Sequence, residues 1–220
     1  MYPSCEVRWF FPSAPEGIAG WFASKSMHFE APGNPLRTDY YLLIANGENI
    51  GLKLREGNVE AKHLVRRAGE WSFPEVGAKG FAEHWMKWSF HLDEADNLSR
   101  QVIQEGIPEW IAVFKERLGF TYHFTETGGV REVPIHEWVP EGCQVELTRI
   151  RMFGKEYYTF GLEAFSRNGQ LEENLREGAK NAFSALRRWC ASIAFPVDKL
   201  SMGINRSMSY PVFLLNLSRE

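Results

Sequence analysis

Polar and apolar residues alternate in short runs along most of the chain, and in several runs one phase of the alternation carries cations. Over residues 5–11, Glu6 and Arg8 share one phase while Val7 and Trp9 share the other. In the run over 50–55, Lys53 and Arg55 oppose Leu52 and Leu54. The same pattern returns at Lys62, at Lys87, at Lys115 with Arg117, and at Arg149 with Arg151. Successive side chains of a strand point to opposite sides of a sheet, so each cation pair projects in one direction. The alternation predicts strands over 5–11, 38–45, 50–55, 59–66, 84–90, 110–124, 145–152 and 157–165. Asn46-Gly47, the stretch 56–58 and Gly154-Lys155 supply turns between them, and the Pro/Gly/Asn-rich stretch 31–35 is a loop.

Helical signals are fewer. Ser13, Pro15 and Glu16 have the spacing of a capping box, which predicts a short helix ending near Ser24. A second helix is expected over 93–105, stopped by Gly106 and Pro108. Over 170–193, Leu171, Leu175, Ala179, Ala182, Leu186, Trp189 and Ile193 follow helical spacing. About eight strands with short connections predict an α+β fold, an antiparallel β tunnel barrel with flanking helices, in one domain over 1–220. Unpaired charges are too costly in a dry core, so the cationic face lines either a wet tunnel or the outer surface. Apolar phases such as Leu52/Leu54, Met86/Trp88/Phe90 and Tyr158/Phe160/Leu162 can pack under helices outside the barrel, which turns the charges inward. A sandwich with solvated charged faces would show the same alternation.

Composition changes this picture in one respect. The 220 residues carry a net charge of −3, which argues against nucleic acid or an anionic membrane surface as partner. Any anion site must be a local concentration of cations. Cys5, Cys143 and Cys190 lack zinc-ligand spacing and are expected to be free thiols. His63, His84, His91, His123 and His136 are scattered, without metal-ligand spacing, and Trp85, Trp88 and Trp110 are expected in packing roles. The first residues do not resemble a signal peptide and no apolar run approaches ~20 residues, so a cytoplasmic location is the default expectation.

The order of motifs resembles the CYTH superfamily, the triphosphate tunnel metalloenzymes. The opening strand motif E-x-E-x-K of that family is similar to Ser4-Cys5-Glu6-Val7-Arg8, and its D-x-Y-Y strand to Asp39-Tyr40-Tyr41. Leu52-Lys53-Leu54-Arg55 with Lys62, the central Lys115-Glu116-Arg117, and the late hairpin over 147–163 follow in the family's order. The helix over 170–193 and Ser209-Tyr210 resemble its closing elements. The resemblance implies phosphate-binding roles for Arg8, Lys53, Arg55, Lys62, Lys87, Lys115, Arg117 and Arg149. It implies metal-binding roles for Glu6 and Glu163, with Mg²⁺ or Mn²⁺ as cofactor, and a small triphosphate as ligand, inorganic or organic. The family includes triphosphatases and class IV adenylyl cyclases; no residue set here suits reading adenine.

The departures from the family pattern all remove carboxylates. Ser4, Thr148 and Gly161 stand where the family carries acidic residues that help hold metal. Glu60 and Glu146 are possible replacements if their strands present them inward. Two functions therefore remain open: metal-dependent hydrolysis of a triphosphate, or non-catalytic binding of a phosphate-rich ligand on a scaffold whose metal site has decayed. A structural barrel with no anion affinity is the third.

Overall fold

The computed structural model describes residues 2–31, 36–55, 57–92 and 97–218. The loop residues Pro32 to Pro35, the turn residue Glu56, the expected helix start at Asp93 and the last two residues lie outside them. Nine strands form one antiparallel sheet: β1 (Tyr2–Phe11), β2 (Arg37–Leu42), β3 (Ile50–Arg55), β4 (Asn58–Phe73), β5 (Ala78–His91), β6 (Trp110–Phe124), β7 (Val130–Pro134), β8 (Glu141–Met152) and β9 (Lys155–Ser166). Their spatial order is β2-β3-β4-β5-β1-β9-β8-β6-β7, and β2 also pairs with β6, from Arg37 opposite Lys115 to Leu42 opposite Trp110. That pairing closes eight strands into a barrel and leaves β7 as an extra strand on β6. Closure satisfies the strand edges that an open sheet would expose.

Two apolar regions hold the barrel together. Helices α1 (Glu16–Ser24) and α3 (Leu171–Ser192) cover the outside of one half. Ile18, Trp21 and Phe22 of α1 and Leu175, Ala179, Ala182, Phe183 and Leu186 of α3 join the outward residues Val7, Trp9, Phe120, Val145, Leu147, Phe160 and Leu162 in a single core. The second region lies inside the barrel. Phe10, Ile111, Val113, Ile150 and Met152 point inward and pack with Phe213 and Leu214 of the carboxyl-terminal helix Tyr210–Leu217. One end of the barrel interior is thus filled by that helix.

Several sequence expectations need correction. The capping box does not form: α1 begins at Glu16 behind Pro15, with no side-chain cap, so Ser13 lies outside the cap position. β4 runs seven residues past the expected end because two bulges, between Leu64 and Arg66 and between Arg67 and Gly69, interrupt its alternation. A bulge inserts a residue and breaks period two, which hides the second half of such a strand from a pattern reading. β7 went unforeseen, being short, mostly exposed and ended by a proline. The second helix, α2 (Asn97–Arg100), is a single α turn that continues as a π-helix, Gln101–Glu105, and stops at Gly106 with φ 70°. The carboxyl-terminal helix Tyr210–Leu217, here α4, lies beyond the elements that the alternation and helical spacing predict. The outward Met86/Trp88/Phe90 phase is not helix-covered throughout, since Phe90 is 57% exposed. Among the described residues, no helix is long and apolar enough to cross a membrane.

Candidate functional site

All eight barrel strands and the first turn of α4 line a cavity of about 330 Å³. Arg8, Arg37, Lys53, Arg55, Lys62, Lys87, Lys115 and Arg117 contribute eight cations to its wall, and Glu6, Glu60, Glu146 and Glu163 contribute four carboxylates. The formal excess is four positive charges, in a protein whose net charge is −3. Alternation explains how the side chains converge. Residues 6 and 8 of β1, 53 and 55 of β3, 115 and 117 of β6, and 144, 146 and 148 of β8 occupy inward positions two apart.

The wall is a set of ion pairs rather than a field of free charges. Arg8 Nη1 lies 2.7 Å from Glu146 Oε1, and Arg117 Nη1 lies 3.5 Å from its other oxygen. Lys53 Nζ is 2.9 Å from Glu60 Oε2, and Arg55 pairs with the same carboxylate. Lys62 Nζ donates to Glu6 Oε2 at 2.6 Å and stands 3.7 Å from Glu163 Oε1. Burial disfavours ionised Glu146 and Glu163, yet neighbouring cations overcome it: Arg8 and Arg117 hold Glu146, and Lys62, Lys87 and Arg8 hold Glu163, each down to about 2.

Beneath the cavity, Asp39 is fully buried and shared by three cations: Lys115 at 3.2 Å, Arg37 at 3.2 Å and Lys53 at 3.9 Å. These are ion-pair distances without hydrogen-bond alignment at either Asp39 oxygen among the described residues. One carboxylate cannot fully compensate three cations in a low-dielectric site. Burial, with Lys53 and Arg37 close by, outweighs Asp39 and lowers Lys115 from 10.5 to about 7. The Lys115 ammonium also donates to Tyr41 Oη at 2.6 Å and lies over the rings of Tyr41 and Tyr210, 4.6 and 4.0 Å from their centroids. Arg8 stands over the Tyr210 ring as well, so α4 both plugs the barrel and braces two cations of its floor.

Seven of the eight residues expected to bind phosphate meet in this cavity: Arg8, Lys53, Arg55, Lys62, Lys87, Lys115 and Arg117. Arg149 does not. It lies on the outer face of β8, directly opposite Glu116 in the β6 ladder, and pairs with Glu116 and Glu30. Arg151 lies beside it on the same face, near Glu30 and Glu156. Glu60 and Glu146 do face inward. Arg37, Tyr210 and Pro211 were missed; Arg37 shares the phase of Asp39 and Tyr41, a signal that an earlier strand start would have exposed.

A divalent metal was expected at Glu6 and Glu163, which stand at paired positions on β1 and β9. The donor set does not fit one. Lys62 already touches both carboxylates, and among the described residues no three His, Cys, Asp or Glu side chains are grouped to hold an ion. The positions where acidic residues were missing are filled in other ways. Thr148 is a buried hydroxyl in the wall, and a Cβ at Gly161 would come within 2.9 Å of the Arg8 guanidinium carbon. Arg8 occupies the space that a side chain at 161 would need.

No protein-family model and no curated protein matches the sequence. Among solved structures, the chain is similar to a candidate adenylate cyclase of Bacillus halodurans. That likeness has 10% identity over 84% of this chain and 92% of that one, with a TM-score of 0.37. It is also similar to the Pct1 RNA triphosphatase of S. pombe, solved in complex with the Spt5 CTD, at 11% identity over 90% of this chain and 84% of that one, with a TM-score of 0.33. At such scores the functional reading rests on the cavity itself.

Proposed function

We propose that the barrel cavity binds a compact polyanion carrying several phosphoryl groups, either inorganic triphosphate or the triphosphate end of an organic molecule. The observation that carries this reading is the convergence of eight cations from six strands on one cavity. Charge-assisted hydrogen bonds from lysine and arginine suit phosphoryl oxygens, and the planar guanidinium adds bidentate geometry. Arg8 supports the reading further, because its Nε is a buried donor with no hydrogen-bond partner among the described residues. Size narrows the ligand. A volume near 330 Å³ equals roughly eleven water volumes at ~30 Å³ each, room for a short phosphate chain. Any larger organic group would extend out of the cavity.

Hydrolysis through Mg²⁺ or Mn²⁺ is the second reading, favoured by the paired positions of Glu6 and Glu163. Its difficulty is that Lys62 already pairs with both. Binding is therefore the primary function and turnover the secondary one. Calorimetric titration with inorganic triphosphate, run beside a phosphate-release assay with each metal, separates them. Binding without release supports the primary reading, release abolished by Glu6→Gln establishes the second, and no heat and no release overturn both.

A further inference from the structure

We infer that the Lys62 ammonium is the built-in cation of the Glu6/Glu163 carboxylate pair, so that the cavity takes its phosphate ligand without a divalent metal. The inference rests on the polyanion reading for its ligand, but its core is geometric. Glu6 and Glu163 sit at directly opposed positions of the β1–β9 ladder, on the inner face. Two carboxylates so placed repel one another, and a positive charge between them lets both stay ionised. Lys62 projects across β5 from the next strand but one and supplies it, at 2.6 Å from one and 3.7 Å from the other. Trp85 backs the ammonium, with Lys62 Nζ 5.4 Å from its ring centroid. The other two wall carboxylates are likewise held, Glu146 by Arg8 and Arg117, and Glu60 by Lys53 and Arg55.

A hard divalent ion needs carboxylate oxygens that it can take for itself. Here each wall carboxylate is engaged by a side-chain cation that cannot diffuse away. A metal would have to displace a tethered ammonium and enter a wall that already carries a formal excess of four positive charges. The phosphate ligand faces the opposite situation. Its oxygens can share the lysines and arginines with the carboxylates, since an ammonium has three donors and a guanidinium five. The engaged carboxylates then hold the cations in place, as fixed counter-charges, before the ligand arrives.

The test compares the parent with Lys62→Met and Lys62→Gln, the second keeping a donor for Glu6 should the first fold poorly. Mn²⁺ binding to the ligand-free proteins is followed by electron paramagnetic resonance, and triphosphate binding to the parent by calorimetry in EDTA and in saturating Mn²⁺. Losing a unit charge at contact distance should tighten Mn²⁺ binding at least about tenfold in the Lys62 variants. Arg149→Met, which removes a cation from the outer face of β8 and leaves the cavity wall intact, should not change it. Triphosphate should bind the parent in EDTA, and Mn²⁺, which chelates the free ligand and offsets its charge, should not raise that affinity. Equal Mn²⁺ affinity in the parent and both Lys62 variants overturns the inference, as does triphosphate binding that appears only with Mn²⁺. If triphosphate binds under neither condition, the polyanion reading falls, and the Mn²⁺ comparison still decides the role of Lys62.

Discussion

The two ends of the barrel are built on opposite plans. At one end, α1 and α3 cover the outside with an apolar core and the inside carries charge. At the other, α4 fills the inside with Phe213 and Leu214, and the outside of β6 and β8 carries ion-paired and partly exposed residues. The change can be followed along single strands. On β6, inward Lys115 and Arg117 give way to inward Val113 and Ile111, while outward Phe120 and Leu118 give way to Glu116 and the 42% exposed Phe114. On β8, outward Val145 and Leu147 are followed by outward Arg149 and Arg151, and inward Glu146 and Thr148 by inward Ile150 and Met152. The amphipathic phase inverts half-way along the strand. A cation pair therefore faces the cavity on one stretch of a strand and the outer surface on the next.

The largest expected effect lies in the plug. Phe213→Ala should cost ~3–5 kcal/mol of stability, as for other buried phenylalanines, whereas Phe114→Ala on the outer face of the same end should stay within about 1 kcal/mol. Urea unfolding of both variants checks this, and equal losses would mean that the two faces do not differ as described. Next in size is the contrast between the two arginines on neighbouring strands. Arg117→Ala should weaken triphosphate binding roughly ten- to hundredfold, the worth of a charged hydrogen bond at ~1.5–3 kcal/mol, while Arg149→Ala should leave it within about twofold. Calorimetry on the pair would undo the inner and outer assignment if Arg149 proved the more damaging.

The smallest effect is a pH dependence. Lys115 is held at about 7 by burial and by Lys53 and Arg37, against the pull of Asp39. Affinity for triphosphate should fall modestly as pH rises through 7, when that ammonium discharges. Stability should respond in the other direction. A lysine lowered in the folded state binds fewer protons there than when unfolded, so its contribution rises with pH between about 7 and 10.5. Lys115→Arg should flatten the affinity profile, because arginine stays charged throughout. A profile of unchanged slope in that variant would assign the titration to another group.

Much of the candidate site was legible because period-two alternation is a local property. Inward positions two apart, such as Lys53 with Arg55 and Lys115 with Arg117, could be paired without knowing what they faced. Asp39 was legible only as part of a D-x-Y-Y-like strand, and its service to three cations at once depends on β2 meeting both β3 and β6. Arg37 was hidden by a strand start set one residue late. Tyr210 was hidden because nothing local says that a tail segment re-enters a barrel.

The sequence by itself determined eight of the strands in outline, their alternation, the amphipathic helix α3 and the concentration of cations on single faces, because these depend on neighbours a few residues apart. Tertiary structure alone decided which face was inside, since that depends on where the helices settle. It placed Arg149 outside and Arg117 inside, although their local patterns are alike. It also set Lys62 between Glu6 and Glu163, three side chains from separate strands whose meeting follows from barrel closure and register rather than from spacing along the chain.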